Sequence, residues 1–506
     1  MVPNAKNWLF LGLPNPATPS SGFGRTDSVS SWNTDTLNPI DNLQYNSQYR
    51  DTALFGKKVT SANVRRLIRK VSWSSNTRYD MYRHDYSNAN PAPNSNLSRL
   101  YDSNYYVINT DFRVYVCIDN GSSGDNLKGN PSKDEPTFTD LEPRSAGSSG
   151  DGYVWKYLYT IKPSDIVKFE STDFLPVPAD WATSTDASSV RNNAVDGSLK
   201  IVTVTNRGTA IGNTATSYTN VPIKGNGSGA QCTVVVNNEY KIDSVTVTTQ
   251  GSGYTYGSVD LTAGGVPTGT EIPTFDVIIP PEGGHGADIY RELGAYNVLL
   301  YSRIENDTEN PDFITGNQIA RVGVVENPRV TANSLLTADK ASAVPALRLT
   351  GVGYSSATFT ADTLIKQTIG TGQTAVGRVI SYDSNTGVLK YWQDKSLAGF
   401  TTVGAAITNP TYGYELLQFT STPSGTGNLT IVPDSGTNSN LGIDTVFSGI
   451  STVINNRTYN LGQSFVSGIA APEAKKYSGN IIYVDNRPSI TRSVNQKEDI
   501  KIILQF

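Results

Sequence analysis

The chain has 506 residues, carries little charge (17% Asp, Glu, Lys and Arg) and has a net charge of −4 at pH 7. This balance argues against non-specific binding to nucleic acid, which requires a basic surface. No stretch approaches the ~20 apolar residues of a membrane helix. The starting sequence MVPNA lacks the basic and apolar parts of a secretory signal, so none is expected.

The composition favours a β-rich protein with many turns. Glycine (45), proline (26) and tyrosine (27) are abundant, and Gly, Asn and Pro supply the dihedral angles that turns between short strands require. The length suits roughly three domains of ~100–200 residues each. The two cysteines, Cys117 and Cys232, lie far apart in the sequence. We expect them to be free, buried thiols, as suits a reducing cytoplasm.

The amino-terminal part predicts short strands separated by long polar loops. An apolar strand at residues 8–12 precedes a Pro/Ser/Asn-rich loop that reaches about Gln48. Such a loop is long for a compact domain unless it wraps around something. Two further strands are predicted at residues 105–108 and 112–118, and a second polar loop at residues 120–150.

The strongest strand signal is the sequence GDGYVWKYLYTI, which begins at Gly150. Side chains alternate between the two faces of a strand. One face therefore carries four aromatic rings and an isoleucine: Tyr153, Trp155, Tyr157, Tyr159 and Ile161. Because each buried ring hides roughly 150–250 Å² of surface, the pattern predicts a core strand.

From about residue 187 the sequence changes from tyrosine-rich to Gly/Thr/Val-rich. The strands predicted at residues 201–205 and 245–248 end near Gly208 and Gly251, at an offset of 43 residues. This similarity predicts a degenerate β-repeat and an independent β module at about 187–280. The remaining strands are predicted at residues 296–304, 319–325, 376–382, 388–392, 480–485 and 500–506. A polar connection that contains Arg487 and Pro488 separates the last two.

The two histidines are the first candidates for chemistry. His84 has Asp85 as its neighbour, but adjacent strand residues point to opposite faces, so a structural or interface role is favoured over catalysis. His285, between glycines in GGHG, is expected to stabilise a turn before a helix. Metal binding is disfavoured for it, because no second ligand has suitable spacing.

The glycine-rich loops at residues 225–229 and 251–254 are typical of β-turns. A phosphate-binding loop would need a Lys-Ser/Thr pair and a following helix, and both are missing from the pattern. Paired carboxylates for sugar hydrolysis are not singled out among the 45 acidic residues. An enzyme that acts on cell-wall polymer therefore ranks last.

The basic run at residues 65–70 has two readings. It is either a solvated strand face around Leu67 and Ile68 or a surface that meets an acidic neighbouring protein. The tyrosines Tyr101, Tyr105 and Tyr106 fit protein interfaces, where tyrosine is enriched, and fit core packing equally well.

Four separated segments, at residues 71–117, 150–178, 283–328 and 477–506, together resemble one known family. They are similar to the baseplate wedge subunit of T-even-type contractile-tailed bacteriophages, the eighth gene product in that naming. The sharpest matches are GDGYVWKYLYTI and the carboxy-terminal GNIIYVDNRPSI…EDIKIILQF. The YDMYRHDY run and the GGHG…ELGAY element favour the cyanobacterial-phage branch of this family.

The resemblance implies a structural protein of the virion, located in the tail baseplate and assembled in the host cytoplasm. It implies non-covalent contacts with other wedge proteins and a homodimer within each wedge. We expect no enzymatic activity, no catalytic, cofactor or metal-binding residues, no nucleic-acid partner and no membrane insertion. The loops at residues 13–50 and 120–150 are hypothesised to wrap partner proteins.

We therefore predict a mainly β fold with a few short helices, in which a multidomain β-sandwich-like scaffold carries two inserted Gly/Thr-rich β modules. The predicted segments are scaffold at 1–186, the first module at 187–282, scaffold at 283–334, the second module at 335–470 and closing strands at 471–506. The alternative function is binding of host-surface glycans through the two modules. Its candidate side chains are Tyr254, Tyr256, Tyr391 and Trp392.

Overall fold

The structure is a computed structural model. It describes residues 6–14, 32–33, 36, 38–183, 185, 188–305, 318–361, 363–370, 373–393, 400–402, 405–406, 417–423, 429–431, 441–491 and 496–505. The chain forms two compact units. Unit 1 comprises Met1–Asn63 and Tyr301–Ile500, and unit 2 comprises Val64–Leu300 and Lys501–Phe506.

The described part of the chain is mainly β with a few short helices, as the composition predicts. The strands are β1 (Asn7–Gly12), β2 (Ala53–Val59), β3 (Val64–Arg69), β4 (Tyr106–Ile108), β5 (Arg113–Asn120), β6 (Tyr153–Thr160), β7 (Phe174–Pro176), β8 (Val202–Asn206), β9 (Thr216–Gly225), β10 (Gln231–Val236), β11 (Ile242–Thr249), β12 (Gly257–Val259), β13 (Thr274–Val277), β14 (Asn297–Ile304), β15 (Gln318–Glu326), β16 (Lys340–Ser342), β17 (Ala346–Thr350), β18 (Leu364–Gly370), β19 (Gln373–Asp383), β20 (Val388–Trp392), β21 (Phe400–Thr402), β22 (Ala405–Ala406), β23 (Leu429–Ile431), β24 (Gly442–Ile443), β25 (Gly449–Ile454), β26 (Arg457–Phe465), β27 (Ile469–Ala470), β28 (Asn480–Thr491) and β29 (Glu498–Gln505). The α-helices are α1 (Leu43–Thr52), α2 (Pro163–Phe169), α3 (Ser188–Asn192) and α4 (Ile289–Glu292), and short 3₁₀ turns lie at Ser61–Asn63, Leu100–Asp102 and Tyr354–Ser356.

Unit 1 contains a five-stranded antiparallel sheet in the order β16-β2-β1-β15-β28. The apolar β1 lies at its centre, and all six of its residues are buried. A continuous apolar run, rather than alternation, is expected where both faces of a strand are covered. The predicted strand at residues 8–12 is confirmed.

Helix α1 corrects the prediction that a loop extends to about Gln48. Asn42 caps the helix by accepting a hydrogen bond from the Tyr45 N–H at 2.9 Å. The ring of Tyr49 packs on Gly323 of β15, where a Cβ atom would lie 2.4 Å from the tyrosine hydroxyl. The sequence LQYNSQYRDT has no apolar periodicity, so the helix depends on this tertiary contact.

Strand β28 also differs from the prediction, because the Arg487-Pro488 connection lies inside it. Arg321 of β15 pairs with Asn486 of β28, and Ile319 pairs with Ile490. The extra residues of β28 between these two pairs form a bulge, and Pro488 lies in it. Proline has no N–H to donate to a sheet and is accommodated at such bulges. Trp32 Nε1 donates to the Arg487 carbonyl at 2.8 Å beside this bulge.

The second large sheet of unit 1 has the order β23-β18-β19-β20-β17-β24, with β27 also pairing with β17. The predicted hairpin is present as β19 and β20, and Gly387 closes its turn with a φ of 72°. Strands β25 and β26 form a separate hairpin, with Asn455 and Asn456 at its tip in the left-handed region. Parts of the predicted second module fall outside the described residues.

Unit 2 is organised around the sheet β4-β5-β6. The predicted core strand is β6, in which Tyr153 and Trp155 are completely buried and their rings stack 5.3 Å apart. The predicted single aromatic face is not maintained along the strand. Val114 pairs with Tyr159 and Tyr115 with Tyr157, so a bulge at Leu158 interrupts the alternation.

Residues 199–279 of unit 2 surround a second apolar core. The strands pair as β11-β10-β9-β12 and as β13-β8, and Val204, Val221, Cys232 and Val234 are among the buried side chains between them. The two strands of the predicted repeat, β8 and β11, lie in different sheets. The predicted domain boundaries at 187 and 282 stay predictions. Both cysteines are free and buried, as predicted.

Candidate functional site

His285 lies in a closed polar cluster of unit 2. Residues 283–286 form the predicted turn before α4, and the His285 ring is only 4% exposed. Its Nδ1 lies 2.7 Å from Oε1 of Glu292, and the Gly286 N–H donates to Oε2 of the same carboxylate at 2.7 Å. The histidine ring also contacts the Tyr82 ring edge-on at 4.8 Å between centroids.

This cluster holds the turn against the helix rather than opening to a substrate. Glu292 is 2% exposed, and its main-chain carbonyl accepts a hydrogen bond from the Tyr105 hydroxyl at 2.5 Å. Burial raises the pKa values of Tyr82 and Tyr105, so both hydroxyls stay protonated. The interactions agree with the predicted turn-stabilising role of His285. The sequence did not indicate Glu292 as its partner, because only the turn brings them together.

His84 does not form a dyad with Asp85. The His84 Nδ1 atom accepts a hydrogen bond from the Ile279 N–H at 3.2 Å, while Asp85 is bound by Arg83 at 2.7 Å. Arg83 also binds Asp276 of β13 at 2.7 Å. Burial lowers the pKa of His84, which favours its neutral form. The segment at residues 83–85 is thus attached to strand β13 through Asp276 and to Ile279, which follows this strand.

A second polar cluster, which no pattern in the sequence predicts, is centred on Glu142. Its carboxylate accepts hydrogen bonds from Lys200 and Asn193 at 2.9 Å each and from Gln250 at 3.1 Å. Burial alone would raise the pKa of this carboxyl group. The three donors outweigh burial and lower the pKa to about 2. These donors lie 51 to 108 residues away along the chain, so no local pattern indicates them.

The loop at residues 120–150 is fixed to its own unit at several other points. The Lys133 N–H donates to Asp151 at 2.8 Å, and the Phe138 carbonyl accepts from the Tyr115 hydroxyl at 2.6 Å. These contacts fix parts of the loop to unit 2, and the wrapping of partner proteins stays a prediction. Much of the other loop, residues 15–31 in particular, lies outside the described residues.

The basic run at residues 65–70 is largely engaged within unit 2. Arg65 forms a two-pronged ion pair with Asp165 of α2 at 3.0 Å, and Lys70 binds Glu170. The Arg66 guanidinium lies over the Tyr290 ring at 4.8 Å. The side chains of Arg65 and Lys70 are therefore not a fully solvated face, and contact of the run with an acidic neighbouring protein stays a prediction.

Most of the aromatic side chains proposed for glycan binding are buried. Tyr254, Tyr391 and Trp392 are 2–3% exposed, whereas Tyr256 is 63% exposed. The Tyr254 hydroxyl donates to the Ile223 carbonyl at 2.9 Å inside the core of residues 199–279. The glycine-rich loops around it form turns with left-handed glycines, among them Gly229 and Gly251. Of the four side chains predicted to bind glycans, one, Tyr256, is therefore exposed enough to do so.

Tyr105 and Tyr106, which fitted an interface and a core equally well, lie in the core. Both are at most 1% exposed, and their rings meet edge-on at 5.1 Å. Tyr101 is partly exposed, and its ring contacts that of Tyr296 at 5.5 Å. Core packing is therefore the correct reading for the first two.

Unit 1 buries an amine in strand β20. Lys390 is 6% exposed, and no described residue forms a hydrogen bond with its side chain. Its Nζ lies 3.7 Å from the place of a Cβ atom at Gly462. Burial lowers its pKa to about 7, although Glu473 acts in the opposite direction. Within the described part of the chain, the buried Oε1 of Gln463 has no hydrogen-bond partner either.

The hairpin β25–β26 presents the clearest exposed apolar surface. Ile450 and Val453 on β25 are 51% and 67% exposed, and Val446 and Val466 at its base are 92% and 70% exposed. The base is anchored by Phe447, which packs on the Phe465 ring at 5.8 Å. Exposed apolar groups on a hairpin without further pairing in the described chain favour contact with another protein.

A cavity of about 230 Å³ lies in unit 1 between α1 and β28. Tyr45, Tyr49, Arg321 and Asn486 are among its lining residues. Arg321 donates to the Gln48 carbonyl at 3.1 Å and to the Thr52 hydroxyl at 2.7 Å. These bonds give the guanidinium a structural role, since they join β15 to α1.

Among the described residues, no group of three or more His, Cys, Asp or Glu side chains is arranged to hold a metal ion. The helices in the same part of the chain are all too short or too polar to cross a membrane. Comparison with known proteins gives no identification: no family model matches the sequence, and no curated protein matches it.

Proposed function

We propose that this protein is a structural subunit of a contractile phage tail, where it joins neighbouring baseplate wedge proteins through non-covalent interfaces. The observation that carries the proposal is the joint occurrence of GDGYVWKYLYTI and GNIIYVDNRPSI…EDIKIILQF. The first segment forms the buried strand β6, and the second contributes β28 and β29. The strand structure of both segments supports the proposal of a structural subunit.

The polar clusters support a structural role more than an enzymatic one. His285 and Glu292 are buried against each other, and His84 accepts a main-chain hydrogen bond. Each of these side chains stabilises a turn or joins two segments. The hairpin β25–β26, by contrast, exposes the apolar groups that a protein interface would cover.

The finer parts of the proposal follow from the same resemblance. The protein would assemble in the host cytoplasm, form a homodimer within each wedge and remain in the virion. If the baseplate changes shape during infection, the subunit would move largely as a rigid body between alternative interfaces. Size-exclusion chromatography with light scattering measures the mass of the free protein: a mass twice that of the 54.5 kDa chain supports the dimer, and a monomer contradicts it.

Immunogold electron microscopy of the virions that carry this gene tests the proposal directly. An antibody against the purified chain is expected to label the end of the tail that carries the baseplate. Pre-incubation of the antibody with the purified chain provides the control and should abolish the label. Label on the capsid, on the tail tube alone or nowhere on the virion would contradict the proposal.

A further inference from the structure

Strand β28 forms the outer edge of the five-stranded sheet in unit 1, and in the described part of the chain it pairs with β15 alone. Along its carboxy-terminal half, Trp32 Nε1 donates to the Arg487 carbonyl, and the Ser489 N–H donates to Oδ1 of Asn33, at 2.8 Å each. The main chain of residues 481–484 has no comparable bond to a described residue outside β15. We call these four residues the open segment.

The open segment lacks the side chains that usually protect a sheet edge. An edge strand presents unpaired N–H and C=O groups, and charged residues or proline normally discourage another strand from pairing there. In β28 such residues lie at positions 485, 487 and 488, whereas the open segment reads IIYV. A bulge at Ile482, between the pairs that Tyr483 and Ile481 form with β15, leaves the Ile482 side chain 42% exposed.

The cavity of about 230 Å³ between α1 and β28 lies against the open segment, and all four residues of the segment line it. Its other walls include Ile40, which is 56% exposed, and the rings of Tyr45 and Tyr49. Small-molecule sites usually have ~300–1,000 Å³. This smaller, mainly apolar and aromatic space suits one large apolar side chain.

The charges at this place are balanced. The charged residues that line the cavity are Asp41 and Arg321, one of each sign. The Asp41 carboxylate accepts a hydrogen bond from the Asn46 side chain at 3.0 Å. Asp485 and Arg487, which are the charged residues of β28, form an ion pair at 2.6 Å. Complementarity therefore favours an uncharged partner over an acidic or a basic one.

We infer that the open segment and its cavity bind an uncharged, extended segment of another protein, which adds a strand to β28 and places one aromatic side chain in the cavity. In this mode of recognition, main-chain hydrogen bonds supply affinity and a pocket for a side chain supplies specificity.

A different protein is favoured over a second copy of this chain. In a second copy the residues of the open segment line that copy's own cavity, so they do not supply the missing side chain. The inference stands on the open segment and the cavity, and it does not depend on the proposed tail function.

Fluorescence anisotropy with the full chain tests this inference. The probe is a fluorescein-labelled, amidated peptide, Ser-Thr-Val-Phe-Val-Thr-Ser. We expect saturable binding, and the peptide with alanine in place of phenylalanine should bind at least about tenfold more weakly, a loss of ~1.4 kcal/mol. Absence of saturable binding by the phenylalanine peptide, or equal binding of the two peptides, would overturn the inference.

Two methylated peptides test the addition of a strand. One carries N-methyl groups on its odd residues and the other on its even residues. Alternate residues of a strand direct their N–H groups to the same edge, so one of the two peptides should lose binding and the other should keep it. Loss in both peptides or in neither would contradict strand pairing.

Variants of the chain locate the site. Ile482→Lys places a charge on the open segment and should weaken binding of the phenylalanine peptide at least about tenfold. Ile503→Lys is the matched control, because Ile503 has a similar exposure (38%) and lies on β29, the edge strand of another sheet. The control should bind as the natural chain does, and circular dichroism checks that both variants fold.

Two outcomes contradict the assignment to the open segment. Equal loss of peptide binding in both lysine variants would show a non-specific effect of charge. The other outcome concerns a second copy of the chain. If the free protein is a dimer that Ile482→Lys converts to a monomer, and the peptide does not bind, the edge is occupied by a second copy.

Discussion

Each unit buries a lysine in a strand of its core, and the two lysines have different surroundings. Lys156 of β6 is 1% exposed, and its Nζ donates to the Leu141 carbonyl at 2.6 Å. Lys390 of β20 is 6% exposed and forms no hydrogen bond with any described residue. A buried amine without an acceptor is costly in its charged form. Burial lowers the pKa of both amines, so each core bears a cost for its lysine, and the bond to the Leu141 carbonyl offsets part of that cost for Lys156.

The largest expected effect is in the aromatic core around Lys156. Trp155→Ala removes a completely buried ring that stacks on Tyr153 and should destabilise unit 2 by about 3–5 kcal/mol. Thermal unfolding followed by near-ultraviolet circular dichroism measures the effect. Tyr256→Ala, at a 63% exposed ring of the same unit, is the control and should change the transition little. Equal transitions for the two variants would show that β6 is not central to the core.

The two lysines themselves predict responses to methionine of different size. Lys390→Met should stabilise unit 1 at pH 7, by up to about 5 kcal/mol. The reason is that burial lowers the pKa of this amine from 10.5 to about 7 in the folded state, so the folded state binds the proton less tightly than the unfolded state does. The unfolded lysine binds a proton up to about pH 10.5. The stability of the natural chain therefore rises between pH 7 and 10.5, and the advantage of the variant should disappear over that window.

Lys156→Met is the matched comparison for this prediction. It removes the donor of the bond to Leu141 and should stabilise unit 2 less than Lys390→Met stabilises unit 1, or destabilise it. Differential scanning calorimetry from pH 7 to 10 measures both variants. A lower transition temperature of Lys390→Met at pH 7 would contradict the interpretation of its surroundings.

A smaller, pH-dependent effect is expected at Glu142. Its folded pKa of about 2 lies below the ordinary value of 4.5, so its contribution is complete above pH 4.5 and is lost as the pH falls towards 2. Glu142→Gln should destabilise unit 2 at pH 7 by about 1 kcal/mol or less, since the carboxylate is partly exposed. Urea unfolding at pH 7 and at pH 3 measures the difference between the variant and the natural chain. A difference that does not shrink at pH 3 would contradict the assignment.

The smallest effect on stability is expected at the exposed hairpin. Val453→Ser on β25 should change the free energy of unfolding by about 0.5 kcal/mol or less, because this side chain is 67% exposed. The same variant should weaken association with neighbouring proteins if the hairpin is an interface. Co-purification of the tagged chain with assembled tail components compares the variant with the natural chain. Thr458→Ser on β26 is the control. Unchanged co-purification would remove the hairpin from the assembly surface.

Local patterns in the sequence predict fewer than half of the described strands and few of the polar contacts. Strands β1, β5, β14, β15 and the β19–β20 hairpin carry apolar runs or turn residues that identify them without other information. Helix α1 was missed because its sequence is polar, and its formation depends on the contact of Tyr49 with Gly323. The proposed glycan side chains Tyr254 and Tyr391 were misjudged because alternation does not say which face is covered.

The sequence by itself determined the mainly β class, the core position of Tyr153 and Trp155, and the free state of the cysteines. These follow from composition, from alternation along one strand and from the spacing of Cys117 and Cys232. The tertiary structure alone decided the partners of Glu142 and His285 and the burial of the Lys390 amine. Glu142 meets its donors across 51 to 108 residues, and its protonation depends on burial and on donors that only the folded chain brings together.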